Sequence, residues 1–160
     1  MLINHAAEQI LAEAVQAELR VSHLYKHVSN QCQRVGLFGA AKFFKNESKE
    51  ELEHYEKLAN YLNDRGSVAT LPAIENFDDP IRALDSALQL AYNEEVALGN
   101  RYSKWYSTLL ASDPTTAQFL LQFLEIQRVS VGEYGDLLAR ARIAGDNEAA
   151  ILILDKELEA

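Results

Sequence analysis

The sequence has one cysteine, Cys32, so an internal disulfide is excluded and a reducing compartment suits the chain. Glycine and proline are scarce, at 7 and 3 residues, which leaves little material for turns and favours long helices. No apolar run approaches the ~18 residues that a membrane helix requires. The N-terminus, Met1 to Ile10, lacks the basic start and apolar stretch of a secretory leader. Basic residues are the minority: 15 against 24 acidic ones give a net charge of −9 and a pI near 4.9. General nucleic-acid binding rests on a Lys/Arg footprint and is excluded on that ground. Apolar residues still make up 48% of the 160 positions, enough for one well-formed core. The expectation is a single domain over 1–160, soluble, cytoplasmic, and without a membrane or nucleic-acid partner.

Helical periodicity and punctuation divide the chain into four long segments and a short one. They are expected at about 4–33, 37–63, 80–112, 114–144 and 147–157. Asn4 suits an N-cap, Gly66 suits a left-handed cap after the second helix, and Pro80 and Pro114 suit first helical turns. Short links make helices one and two, and three and four, antiparallel pairs. Residues 66–79, fully extended, reach about 46 Å. A helix of ~28 residues is about 42 Å long, so this linker can cross the whole bundle. The expected fold is all-α: a four-helix bundle with one long crossover and a short fifth helix.

Each long helix carries an apolar stripe at steps of three and four, and polar residues interrupt all four stripes. The first reads Ile3, Ala7, Ile10, Ala14, Glu18, Val21, Tyr25, Val28; the second contains Glu47, Glu51 and His54; the third contains Glu95 and Tyr102. The fourth reads Leu120, Leu124, Gln127, Val131, Tyr134, Leu138, Ala141. Glu18, Glu51, Glu95 and Gln127 lie near the middles of their helices, so a bundle of similar helices brings them to one height. Buried carboxylates without a partner repel one another and cost several kcal/mol each. No lysine or arginine lies on these stripes near them, and divalent cations are the natural compensation. Three carboxylates and an imidazole suit iron, manganese or zinc. Glu51 and His54, three apart on one helix face, can reach one metal. Ligands from opposite sides of the axis imply two metals, with Glu51 able to bridge.

A near-repeat relates the halves. Glu18 precedes Tyr25 by seven residues and Glu95 precedes Tyr102 by seven. The second half has Gln127 and Ser130 where the first has Glu51 and His54. One strong metal position (Glu18, Glu51, His54) and one weaker position (Glu51, Glu95, with Gln127 nearby) are therefore expected.

These residues, with the run Glu47 to Leu58, the turn Asn63 to Gly66 and the ending Asp155 to Leu158, resemble the ferritins of the non-haem bacterial type. The resemblance covers essentially the whole chain; the carboxylate bundle with Glu-x-x-His pairs is itself a described pattern of ferritin-like proteins. It implies iron storage and detoxification through a ferroxidase centre holding two irons per chain. Glu18, Glu51 and His54 match the first iron site, with Glu51 bridging, and Glu95 matches the second. Gln127 matches a glutamine that assists the second site, and Tyr25 a tyrosine that hydrogen-bonds the site and supplies an electron. Glu50, Glu53 and Glu56 match acidic residues that pass ferric ions toward a mineral. Further implications are Fe(II) and dioxygen or peroxide as reactants, and a homo-oligomeric shell of 24 subunits.

The chain departs from relatives in the superfamily at several points. The one methionine, Met1, leaves no haem site of the bacterioferritin type. Helix four carries no second Glu-x-x-His, reading Glu125, Ile126, Gln127, Arg128. Val129 and Ser130 stand where a third iron site would place glutamates. Tyr102 reads as a core tyrosine, Trp105 with Tyr106 as core or subunit-contact packing, and His5, His23 and His27 stay unassigned. A di-iron carboxylate oxidase acting on another substrate is the alternative reading, a structural shell subunit a further one, and a DNA-protecting mini-ferritin is disfavoured by the in-bundle site.

Overall fold

The computed structural model describes residues 2–160; Met1, the one methionine a haem could use, lies outside the described residues. Five helices follow in order: α1 (His5–Arg34), α2 (Phe38–Asp64), α3 (Leu84–Leu109), α4 (Pro114–Ala144) and α5 (Glu148–Leu158). Local chemistry sets most of the ends. Asn4, Asp113 and Asn147 cap α1, α4 and α5 by accepting from the amides of Ala7, Thr116 and Ala150. Pro114 opens α4. Gly36 (φ 87°) and Gly66 (φ 77°) turn the chain after α1 and α2 in the left-handed region that glycine adopts without strain.

Side-chain pairs fix the directions. Ser22 Oγ donates to the Ser48 carbonyl (2.8 Å) and Ser29 Oγ to that of Ala41 (2.6 Å), so α1 and α2 run antiparallel. Glu18 meets Tyr102 and Tyr25 meets Glu95, so α1 and α3 are antiparallel as well. Helices α2 and α3 are therefore parallel, and the intervening strand-like segment crosses the bundle's length. Tyr61 stacks on Phe119 at one end and Phe44 on Tyr134 toward the other, which sets α4 antiparallel to α2.

Helix α3 starts at Leu84, one turn later than Pro80 suggests. Two tertiary bonds hold the preceding residues extended over α1. The His27 Nε2 meets the Asp79 carbonyl at 2.7 Å, and the Ile81 amide donates to Gln31 Oε1 at 3.3 Å. Ile81 is buried, but from an extended segment rather than from a helix stripe. The α4 stripe also needs correction. Phe123 is fully buried and stacks on Tyr102 at 5.1 Å, whereas Leu124 and Val131 are only half-buried. One residue turns a helix by about 100°, so an inner position misplaced by one moves to the flank. In α1, Leu11 rather than Ile10 takes the inner place.

The core lies along the bundle axis in two aromatic groups. Tyr25, Phe44 and Tyr134 form one, with Tyr25 and Phe44 5.6 Å apart. Tyr102, Trp105 and Phe123 form the other, each ring 5.1 Å from Tyr102. The polar residues of the helix middles sit between them. Helix α5 docks across the bundle end, where Asp155 accepts from the amides of Gly39 (3.0 Å) and Ala40 (2.7 Å), the free donors of the α2 N-terminus. No helix among the described residues is long and apolar enough to cross a membrane.

Candidate metal centre

Four helices bring Glu18, Glu51, His54, Glu95 and Gln127 into one buried cluster. The carboxylates and the amide are at most 2% exposed and His54 is 9% exposed. Each sits mid-helix on the axial face, where a leucine would otherwise complete the core. One oxygen of Glu18, one of Glu51 and a ring nitrogen of His54 all lie within 4.8 Å of one another. His54 Nδ1 is 3.4 Å from Glu51 Oε2 and 3.5 Å from Glu18 Oε2.

The remaining lone pairs are used unevenly. Tyr102 donates its hydroxyl to Glu18 Oε1 at 2.5 Å. Tyr25 donates to Glu95 Oε1 at 2.7 Å. Gln127 Nε2 donates to Glu95 Oε2 at 2.6 Å and to the Glu95 carbonyl at 3.3 Å. Glu18 Oε2 has no hydrogen-bond donor, and neither has Gln127 Oε1. Leaving a buried charged acceptor unsatisfied costs more than the ~1–3 kcal/mol of a neutral one. A cation between Glu18, Glu51 and His54 would relieve that cost, so the residues present fit a metal ion.

Protonation follows from crowding. Burial, and then the neighbouring Glu18, drives the Glu51 carboxyl well above the ordinary range. Burial also acts against Glu18, but its close neighbours Glu51 and His54, with the Tyr102 hydroxyl, outweigh it and hold Glu18 low. Glu51 is thus the member of the pair that holds a proton more tightly, and a divalent ion would compete with that proton. Burial raises Glu95 despite the bonds from Tyr25 and Gln127. Burial, followed by neighbouring Tyr134 and Glu95 for Tyr25 and by Glu18 for Tyr102, raises both phenols well above 10, so both remain donors.

The structure brings Glu18, Glu51, His54, Glu95 and Gln127 together, with Tyr25 hydrogen-bonded to Glu95. Glu50 stands apart: it is exposed on α2, as are Glu53 and Glu56. Two participants escaped sequence reasoning. Tyr102 is one, although the Glu–Tyr spacing of seven, repeated in both halves, was the signal for it. Glu47, on the inner stripe but given no role there, is the other; it is half-buried, and burial with Glu50, Glu95 and Glu133 pushes its carboxyl up to about 8.

A long-crossover four-helix bundle with an axial carboxylate–histidine cluster defines the ferritin-like class of metal-binding bundles. Comparison with known proteins agrees. The Ferritin family model, described as a ferritin-like domain, matches residues 8–144. The chain is 31% identical to a ferritin of Pacifastacus leniusculus, over 91% of this chain and 83% of that one. It is 25% identical to a probable bacterial non-heme ferritin-like protein of Haemophilus influenzae, covering 98% and 96% of the two chains. An open-pore ferritin of the archaeon Archaeoglobus fulgidus superposes with a TM-score of 0.95 at 25% identity, over 98% of each chain. The chain belongs to the ferritin family, and that membership supports a role in iron storage.

Proposed function

We propose that the protein is a ferroxidase that stores iron. Fe(II) is its substrate: two ions bind per chain, are oxidised to Fe(III) by dioxygen or peroxide, and pass on to a ferric mineral. The observation that carries this reading is the buried triad of Glu18, Glu51 and His54, with Glu18 Oε2 aimed at its partners and bonded to no donor. Carboxylates stabilise Fe(III) over Fe(II) through their charge, which makes electron transfer from the bound iron to dioxygen or peroxide more favourable. Glu51 feels the charge of both Glu18 and Glu95, which supports a bridging role.

The second position is the weaker one on this reading. Glu95 has both oxygens hydrogen-bonded, so an ion there must share or displace the Gln127 amide. A weakly held second ion suits turnover, because product must leave. Tyr25 steadies Glu95 and stands close enough to supply an electron, while Glu50, with Glu53 and Glu56, offers exposed carboxylates for onward transfer. The likeness to ferritins supports a homo-oligomeric shell of 24 subunits working in the cytoplasm, with two irons per chain and no haem.

Aerobic addition of Fe(II), well above two ions per chain, to the metal-free protein tests the reading. Ferric absorbance and particle mass are followed together, alongside Glu51→Ala. Fast oxidation that depends on Glu51, with iron held in a large particle, is expected. Oxidation that stops at two ions in a small particle would favour a di-iron oxidase with another substrate. Rates equal to those of buffer would refute ferroxidase activity.

A further inference from the structure

The two halves of the centre are cross-linked by tyrosines in a symmetric way, yet with unlike results. Tyr25, seven residues after Glu18, bonds to Glu95; Tyr102, seven residues after Glu95, bonds to Glu18. Glu95 also receives Gln127, whereas Glu18 Oε2 has no such amide or hydroxyl donor and lies 3.5 Å from His54 Nδ1. Tyr102 has little freedom to move away. It is fully buried, parallel to Phe123 (5.1 Å, 5°) and edge-on to Trp105 (5.1 Å, 89°). Trp105 is itself fixed, with its indole N–H donating to Glu13 Oε2 at 3.3 Å and the Arg101 guanidinium 4.8 Å above its ring.

The geometry points to Tyr102 as a positioning residue that makes Glu18 a one-oxygen ligand. This inference rests on the metal-centre reading above. A carboxylate can hold a metal through one oxygen or chelate it through two. With Oε1 accepting the hydroxyl of a tyrosine held by its ring contacts, Oε2 is the Glu18 oxygen that faces His54, 3.5 Å from its Nδ1. The first metal then receives three protein atoms, one each from Glu18, Glu51 and His54. The rest of its shell stays open to solvent-derived ligands and to the oxidant. Without the Tyr102 hydroxyl, Glu18 can rotate so that both oxygens chelate, and one open position is lost.

Co(II) reads this directly, because its visible spectrum reports coordination number and it need not turn over. One equivalent of Co(II) is added anaerobically to the metal-free unsubstituted protein, to Tyr102→Phe and to Tyr25→Phe. Both variants delete one buried hydroxyl from the same core, but only the first frees Glu18. Tyr102→Phe is expected to show severalfold weaker visible absorbance, the mark of a higher coordination number, while Tyr25→Phe keeps the original spectrum. Identical spectra in all three, or equal changes in both variants, would overturn the inference. Infrared difference spectra of the unsubstituted protein with Zn(II) give a test without any variant. A separation of carboxylate stretches wider than in the free carboxylate is expected for one-oxygen binding, and one no wider would overturn it. A protein that binds neither ion would refute the metal-centre reading itself, a result distinct from binding with an unchanged Tyr102→Phe spectrum.

Discussion

Replacing Glu47 by glutamine should stabilise the metal-free protein, and by an amount that grows with pH. Glu47 lies one turn before Glu51 on α2, and burial together with Glu50, Glu95 and Glu133 lifts its carboxyl from 4.5 to about 8. Below 4.5 the carboxyl is protonated in both the folded and unfolded chain, and folding carries no penalty from it. Between 4.5 and 8 the unfolded chain has lost the proton while the folded chain still holds it, so folding takes a proton up. Each pH unit in that window costs about 1.4 kcal/mol. The penalty is under about 1 kcal/mol at pH 5 and about 3 kcal/mol at pH 7. Glu47→Gln keeps the shape and removes the titration, so its gain over the unsubstituted protein should rise by about 2–3 kcal/mol between those two values. Denaturant unfolding in the presence of a chelator, followed by circular dichroism at pH 5, 6, 7 and 8, measures it. A gain that is flat with pH, or larger at pH 5 than at pH 7, would refute the reasoning.

Other substitutions probe how the bundle holds its shape. Gly39→Ala places a Cβ 1.7 Å from the Asp155 carbonyl oxygen, so α5 must shift; a loss of about 3 kcal/mol is expected from thermal unfolding. Asp155→Ala removes the acceptor for the two α2 amides and should cost about 1–2 kcal/mol, with α5 becoming more open to proteolysis. Phe44→Ala empties a fully buried position between Tyr25 and Tyr134, and should cost about 3–5 kcal/mol in denaturant unfolding.

Much of the architecture was legible because its signals are local. Few glycines and prolines, periodic apolar stripes and cap residues such as Asn4 and Gly66 act within a turn or two of where they are read. The metal cluster was legible for a related reason: Glu18, Glu51, Glu95 and Gln127 break apolar stripes at one height, and only a bundle axis explains such placement. What escaped depends on contacts between distant segments. Pro80 has the right chemistry for a first helical turn, but His27 and Gln31 on α1 hold Asp79 and Ile81 extended instead. Asp155 caps a helix more than a hundred residues earlier, and no local pattern announces that. Tyr102 looked like core packing because a buried tyrosine usually is; its hydroxyl acquires meaning only once Glu18 is seen beside it.

Crystals soaked anaerobically in Fe(II) show most directly where iron binds, through anomalous scattering at the iron edge. Two peaks per chain are expected inside the bundle. The stronger should lie among Glu18 Oε2, Glu51 and His54 Nδ1, and the weaker beside Glu95 and Gln127. Iron found only at exposed carboxylates such as Glu50, Glu53 and Glu56, with the interior empty, would contradict the account.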